Sequence, residues 1–135
     1  MMRIHVRETG PMKFMLLIYI DPHLLQTLPA SEYDTLMRGC LRHADALQAA
    51  GTLVMSQRLQ PPTSAQTLRR RDELTRIIDG PFAETREILA GFNLIEAADA
   101  DEAMRIAQQF PWAAYGSIEV RPVDDLDAER VRLGA

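Results

Sequence analysis

The sequence has one cysteine, one tryptophan and three histidines among its 135 residues. The lone Cys40 excludes an internal disulfide, which is usual for proteins kept in a reducing compartment, so a cytoplasmic location is expected. The three histidines, His5, His23 and His43, share no metal-ligand spacing, and one cysteine cannot build a thiolate site. The sequence therefore predicts no metal site.

Long hydrophobic runs and positive charge are also scarce. The longest apolar run spans residues 14–20, far short of the roughly 20 residues that a membrane-spanning helix needs, so no membrane partner is expected. The net charge is −4, and the basic run 69–71 is followed directly by Asp72 and Glu73. This balance does not favour direct binding to nucleic acid, which requires many cations against phosphates. Glycine-rich phosphate loops are absent too, so no cofactor is predicted.

The length and composition indicate one globular domain. Hydrophobic residues make up 47% and charged residues 25%, a balance that supports a packed core. Residues 1–11 lack the apolar region of a signal peptide and are predicted to be a disordered extension or a wrongly assigned start. Residues 12–123 are predicted to form the domain, and residues 124–135 a polar C-terminal tail.

Apolar periodicity predicts the element order β-α-β-(hairpin)-β-α-β. A first helix is expected from Ser31, with Asp34 completing a capping box, to Gly51. A second helix is expected after the capping pair of Asp99 and Glu102. The predicted strands are 14–20, 52–59, 89–97 and 117–123, with hairpin arms at 67–68 and 74–78 and a polar loop at 21–30.

This order predicts an α+β fold of the ferredoxin-like βαββαβ type, with an antiparallel four-stranded sheet, two helices on one face and the hairpin as an insertion. The first strand is apolar at odd and even positions, which is typical of a strand covered on both faces. Two helices cover only one face, so the other face needs a further cover. A second copy of the chain is the simplest one, and a face-to-face homodimer is predicted.

Four blocks of sequence resemble the YCII-related family. The segment 79–87, DGPFAETRE, is similar to its DGPF signature, and the segments 12–19, 59–62 and 115–122 agree with it in order. The resemblance spans residues 12–123 and implies a dimeric α+β barrel. Some members carry a histidine and an aspartate in the first helix that have been proposed as a catalytic pair. The corresponding positions here hold Cys40 and Ala49, so the pair is not transferred.

Four residues are candidates for acid–base catalysis in a cofactor-independent reaction: Asp79, His23, His43 and Tyr115. Asp79 opens the signature loop, His23 follows the first strand, His43 borders the apolar stripe of the first helix, and Tyr115 precedes the last strand. Each has a structural alternative: a turn aspartate, an exposed loop histidine, a satisfied half-buried histidine and a packing tyrosine.

The signature loop is also the candidate ligand-binding segment. Its predicted contacts are Gly80, Pro81, Phe82, Glu84 and Arg86, with Arg86 suited to binding a carboxylate through two parallel hydrogen bonds. The alternative is a tight turn with salt bridges on its surface.

Two main functions remain open from the sequence. One is a small-molecule enzyme of the lyase or isomerase type that moves a proton in a dimer cleft. The other is a non-catalytic ligand-binding or accessory module, which the resemblance associates with sigma-factor regulation. A dimer without any small-molecule site is the third possibility.

Overall fold

The computed structural model describes residues 12–135; the prediction made for residues 1–11 lies outside that range. The helices and strands, in chain order, are β1 Met12–Ile20, α1 Pro22–Gln26, α2 Ala30–Ala49, β2 Leu53–Arg58, β3 Gln66–Arg71, β4 Leu74–Asp79, β5 Ile88–Ala97, α3 Ala100–Gln108, β6 Gly116–Pro122 and α4 Leu126–Leu133. Short 3₁₀ turns occupy Pro62–Ser64 and Pro111–Tyr115.

The main sheet contains four strands in the order β2-β5-β1-β6, and each neighbouring pair is antiparallel. Strands β3 and β4 form a separate two-stranded sheet, the hairpin arm. The predicted mixed α+β fold with a four-stranded antiparallel sheet is therefore confirmed. Helix α2 connects β1 to β2, and α3 lies between β5 and β6.

Alternation along β1 and β5 divides the main sheet into two unlike faces. On the helix side, the buried side chains of the sheet pack with α3 and the turn after it; they are Phe14, Leu16, Ile18, Ile20, Ile95 and Ala97 from the strands, and Ala103, Ala107, Phe110 and Trp112 from α3 and the turn. The opposite face carries partly exposed apolar residues; they are Met15, Leu17, Tyr19, Phe92 and Leu94. We call this second surface the open sheet face.

Two glycines are required by close backbone approach. A Cβ at Gly91 would lie 2.6 Å from the carbonyl oxygen of Gln57 on β2, and the β1–β5 register shifts beside it, between Ile18 and Tyr19. Glycine at position 91 therefore allows β5 to approach β2 closely. A Cβ at Gly116 would collide with the carbonyl oxygen of Tyr19, because β6 begins directly against the end of β1.

The start of α2 differs from the prediction. The helix begins at Ala30 with Pro29 as its N-cap, so Ser31 does not cap it. The reason is that the Pro29 carbonyl accepts the amide protons of Glu32 and Tyr33 at 3.0 and 3.1 Å, which starts the first turn one residue earlier. The predicted capping pair of α3 is confirmed, since the Glu102 amide donates to Asp99 Oδ1 at 2.8 Å.

Two segments predicted as irregular are helical. The loop after β1 contains α1, which has Asp21 as its N-cap and Pro22 in its first turn. The polar tail contains α4, capped by Asp125 and ended by Gly134 in the left-handed conformation. Both helices are short and bury no residue fully. Their sequences therefore lack the apolar periodicity from which a helix is predicted.

Candidate functional site

A cavity of about 690 Å³ lies between α2 and the main sheet. It exists because α2, although 20 residues long, buries no side chain fully and stands away from the strands. Its apolar walls come from β1, α1, α2 and the turn after α3; they include Ile18, Ile20, Leu25, Met37, Phe110 and Trp112. We call this space the helix–sheet cavity.

Polar groups enter the helix–sheet cavity mainly from the β2 side. Asn93 on β5 lines it and is only 3% exposed. Ser56 lies opposite Asn93 in the strand register, and Arg58 lies opposite Gly91 two residues further on. The Arg58 guanidinium reaches the Tyr33 hydroxyl of α2 at 3.4 Å, a long contact. The cavity is therefore apolar inside with an amide and a cation along one side.

Cys40 and Trp112 form a contact across the cavity wall. The indole Nε1 of Trp112 donates to the Cys40 Sγ at 3.3 Å. Burial raises the pKa of the Cys40 thiol, and the indole hydrogen bond opposes that rise. A thiol with a raised pKa stays protonated at neutral pH and is a poor nucleophile.

Asp21 ties the signature loop to the end of β1. Its carboxylate, on a residue 3% exposed, accepts Arg86 Nε on Oδ2 at 2.9 Å and the His23 amide on Oδ1 at 3.0 Å. The Arg86 guanidinium lowers the pKa of Asp21, an effect that burial opposes and the His23 amide reinforces. The backbone amide of Asp21 also donates to the Tyr115 carbonyl at 2.8 Å. One buried carboxylate thus connects α1, the loop before β5 and, through its backbone, the turn before β6.

The four candidate catalytic residues of the described range lie on four different elements, and none of them lines the helix–sheet cavity. Asp79 ends β4 on the hairpin arm, where its Oδ1 accepts Gln66 Nε2 at 3.1 Å. The His23 side chain is exposed on α1. Tyr115 packs partly against the core. Their roles in catalysis therefore stay predictions.

His43 is the candidate with the most unusual surroundings. Its ring packs edge-on against Phe110, a cavity wall residue, with ring centroids 4.4 Å apart. Its Nε2 is buried and has no hydrogen-bond partner among residues 12–135. A buried polar atom without a partner is uncommon and is a place where a missing partner is expected.

The predicted ligand-binding loop is positioned by hydrogen bonds rather than by a cavity. The Gly80 amide donates to the Ala65 carbonyl at 2.7 Å, and the Gly80 carbonyl accepts the Thr67 hydroxyl at 2.8 Å. Phe82 is 79% exposed, and Arg86 is paired with Asp21. Gly80, Pro81, Phe82, Glu84 and Arg86 do not line the helix–sheet cavity, and their role in ligand binding stays a prediction.

Sequence reasoning missed three residues of this region: Asn93, Arg58 and Asp21. Asn93 gave a signal, since it is a single amide inside the apolar run of a central strand. Asp21 before Pro22 is a usual helix start, in which proline follows the capping residue. Arg58 gave none, because an arginine on an edge strand is ordinary and only the packing of α2 places it beside a cavity.

Metal-ligand groups and membrane-spanning helices are both missing from the described part of the chain. Among residues 12–135, no group of three or more histidine, cysteine, aspartate and glutamate side chains is arranged to hold a metal ion. Over the same range, every helix is too short or too polar to cross a membrane.

Comparison with known proteins places the chain in a family. The model of the YCII-related domain matches residues 12–127. A protein of Rhizobium meliloti (strain 1021), named only as uncharacterised, is 39% identical over 114 residues, which cover 83% of this chain and 92% of the relative. The chain therefore belongs to the YCII-related family.

Proposed function

We propose that this protein binds a small organic molecule with an apolar body in the helix–sheet cavity. The observation that carries the proposal is the cavity itself: its volume of about 690 Å³ lies within the range of small-molecule sites, and a few polar groups converge on an otherwise apolar wall. Asn93 supports the same proposal, because it places a side-chain amide, which can donate and accept hydrogen bonds, on the lining of the cavity.

Binding without catalysis is the function that the geometry supports best. Within the described range, the cavity lining contains no histidine and no carboxylate, the usual groups for proton transfer at neutral pH. The buried carboxylate of Asp21, next to the cavity residues Ile20 and Pro22 in the chain, has both oxygens engaged by Arg86 and the His23 amide. The Cys40 thiol is held protonated.

The first test fills the cavity from α2. Ala44 lines the cavity, whereas Ala46 lies exposed on the same helix, so Ala44→Phe and Ala46→Phe form a matched pair. The probe is the neutral dye N-phenyl-1-naphthylamine, and the readout is energy transfer from Trp112, the only tryptophan. We expect saturable transfer in the natural protein and in Ala46→Phe, with affinity lowered about tenfold or more in Ala44→Phe. Equal binding by both variants would overturn the cavity as the site.

A second candidate, a cofactor-independent lyase or isomerase, is favoured by His43. Its buried Nε2 has no partner in the described range, and its ring contacts a wall of the cavity. The test is hydrogen–deuterium exchange at the acidic carbon of an enolisable acid, levulinate, followed by proton NMR in deuterated buffer. If the protein is such an enzyme, the natural protein should accelerate the exchange and His43→Gln should abolish the acceleration. Exchange at the uncatalysed rate in the natural protein would rule out the enzyme.

The assembly belongs to the same proposal. The strand order and connections are compatible with a ferredoxin-like unit, and the apolar side chains of the open sheet face are only half-buried. A second copy placed face to face, as in a dimeric α+β barrel, would bury it.

If the protein serves as an accessory module of sigma-factor regulation, the helix–sheet cavity is where it would sense a metabolite. A cytoplasmic location fits its single, half-buried cysteine.

A further inference from the structure

The polar groups of the helix–sheet cavity point to a particular class of ligand. Asn93 sits on the sheet floor of the cavity, opposite Ser56 of β2, and its side-chain amide can both donate and accept hydrogen bonds. A ligand that enters the cavity therefore meets an amide on an otherwise largely apolar floor.

A cation stands on the same side of the cavity. Arg58 follows Ser56 on β2, with its side chain on the helix side, where it contacts the Tyr33 hydroxyl. No carboxylate among residues 12–135 lies within 4.0 Å of the Arg58 guanidinium, and what sets this arginine apart from the other unpaired ones is that it lines the cavity. Guanidinium groups bind carboxylates through two parallel hydrogen bonds, a geometry that a ligand could complete at Arg58.

We propose that the cavity takes an organic acid: a carboxylate bound by Arg58 and Tyr33, an apolar or aromatic body inside the cavity, and a carbonyl or hydroxyl group at Asn93. This ligand class rests on the proposed function, since it needs the same cavity. The strand register explains the order of the groups. Asn93 pairs with Ser56 and Gly91 with Arg58, so amide and guanidinium follow one another along the β2 edge of the cavity.

The first experiment compares two ligands that differ only in charge, 3-phenylpropanoate and 3-phenylpropanamide, by the emission of Trp112. We expect the acid to bind about tenfold or more tightly than the amide. Arg58→Gln should remove that preference, because it weakens binding of the acid far more than binding of the amide. Arg58 is exposed on an edge strand, so this substitution does not disturb the core. The control is Arg69→Gln on the hairpin arm, which should keep the full preference.

The outcomes separate the ligand class from the proposed function. If acid and amide bind equally, the cavity is a binding site but the organic-acid inference is overturned. If neither compound changes Trp112 emission at millimolar concentration and the naphthylamine probe does not bind, the proposed function fails as well. If Arg69→Gln removes the preference as completely as Arg58→Gln, the effect is one of net charge, and the site at Arg58 is refuted.

The second experiment addresses Asn93 with 4-oxo-4-phenylbutanoate and 4-phenylbutanoate, which differ by one carbonyl. Asn93→Leu keeps roughly the size of the side chain and places an apolar group on a largely apolar cavity lining, so it is expected to fold. The keto acid should bind the natural protein several-fold better than the parent acid, and Asn93→Leu should remove that advantage while keeping the preference for acid over amide. An unchanged advantage in Asn93→Leu would remove Asn93 from the site.

Discussion

At the scale of single residues, Asp21 is the clearest case of a charge that the fold controls. Its carboxylate is nearly inaccessible, yet it is ionised because Arg86 holds its pKa below the ordinary value. A group with a lowered pKa in the folded state stabilises the protein above its unfolded-state pKa of about 3.9, and that contribution is lost as the pH falls through the folded-state pKa.

We therefore expect Asp21→Asn to lower the unfolding temperature at pH 7, because the ion pair with Arg86 becomes a neutral contact. The deficit should shrink as the pH falls below the unfolded-state pKa of about 3.9 towards the lower folded-state pKa, because the unfolded chain then binds a proton that the ion pair excludes from the folded state. Thermal unfolding followed by circular dichroism across this pH range measures the effect. The control is Glu84→Gln, which removes an exposed carboxylate from the loop that contains Arg86 and should change the unfolding temperature little. A deficit that is the same at every pH would contradict the ion-pair account.

Replacing either of two glycines by alanine should change the stability of the protein, in opposite directions at the two positions. Gly39 lies inside α2, where an added Cβ would meet nothing within 4 Å, so Gly39→Ala should stabilise the protein by about 0.5–1 kcal/mol. Gly116→Ala should destabilise it by about 1–3 kcal/mol, because the new methyl group meets the backbone of β1. Urea unfolding of both variants gives the comparison. Equal effects in the two variants would mean that the close approach of β6 to β1 is not a constraint.

At the scale of elements, the hairpin arm contains a turn that is not optimal for its conformation. Asp72 and Glu73 join β3 to β4, and both have positive φ, 50° and 64°. Two-residue hairpin turns of this kind prefer glycine at the second position, and a left-handed residue with a side chain costs about 1–2 kcal/mol.

Replacing Glu73 by glycine should therefore stabilise the arm. Since about 1.4 kcal/mol corresponds to a factor of ten, we expect amide hydrogen exchange in β3 and β4 to slow by roughly five- to tenfold in Glu73→Gly. Glu73→Ala removes the charge but keeps the side-chain penalty, so exchange should stay near the natural rate. Slower exchange in both variants would attribute the effect to charge rather than to backbone conformation.

At the scale of the whole molecule, the open sheet face gives the test of assembly. Leu17 lies on this face, beside Phe92 on β5 and Glu119 on β6. A lysine at this position is hydrated beside Glu119 in a single chain, but a face-to-face dimer would have to remove water from both charges. Leu17→Lys should therefore fold and remain monomeric.

Sedimentation equilibrium distinguishes the two states by mass, since one chain weighs 15.2 kDa. The dimer dissociation constant should rise at least about a hundredfold in Leu17→Lys, the loss expected when a charge must be desolvated. Met104→Lys, on the outside of α3, is the control and should leave dimerisation unchanged. A natural protein that sediments as one chain at tens of micromolar would rule out the dimer.

Much of the fold follows from patterns within the sequence. The alternation in residues 14–20 and 89–97, the Asp99–Glu102 capping pair and the turn at the tip of the arm each act over a few residues, so they could be read without knowing the packing. The start of α2 could not be read in the same way. Ser31 is a good capping residue, but the carbonyl of Pro29 accepts the first hydrogen bonds of the helix, so the helix begins before Ser31.

The candidate site shows the other limit. The sequence by itself determined the strands, the apolar faces and membership of the YCII-related family. Only the tertiary structure decided that α2 stands away from the sheet and that Arg58, Tyr33 and Asn93, far apart in the chain, share one cavity. The physical reason is that periodicity reports which side of an element is apolar, whereas the distance between two elements depends on how all their side chains pack together.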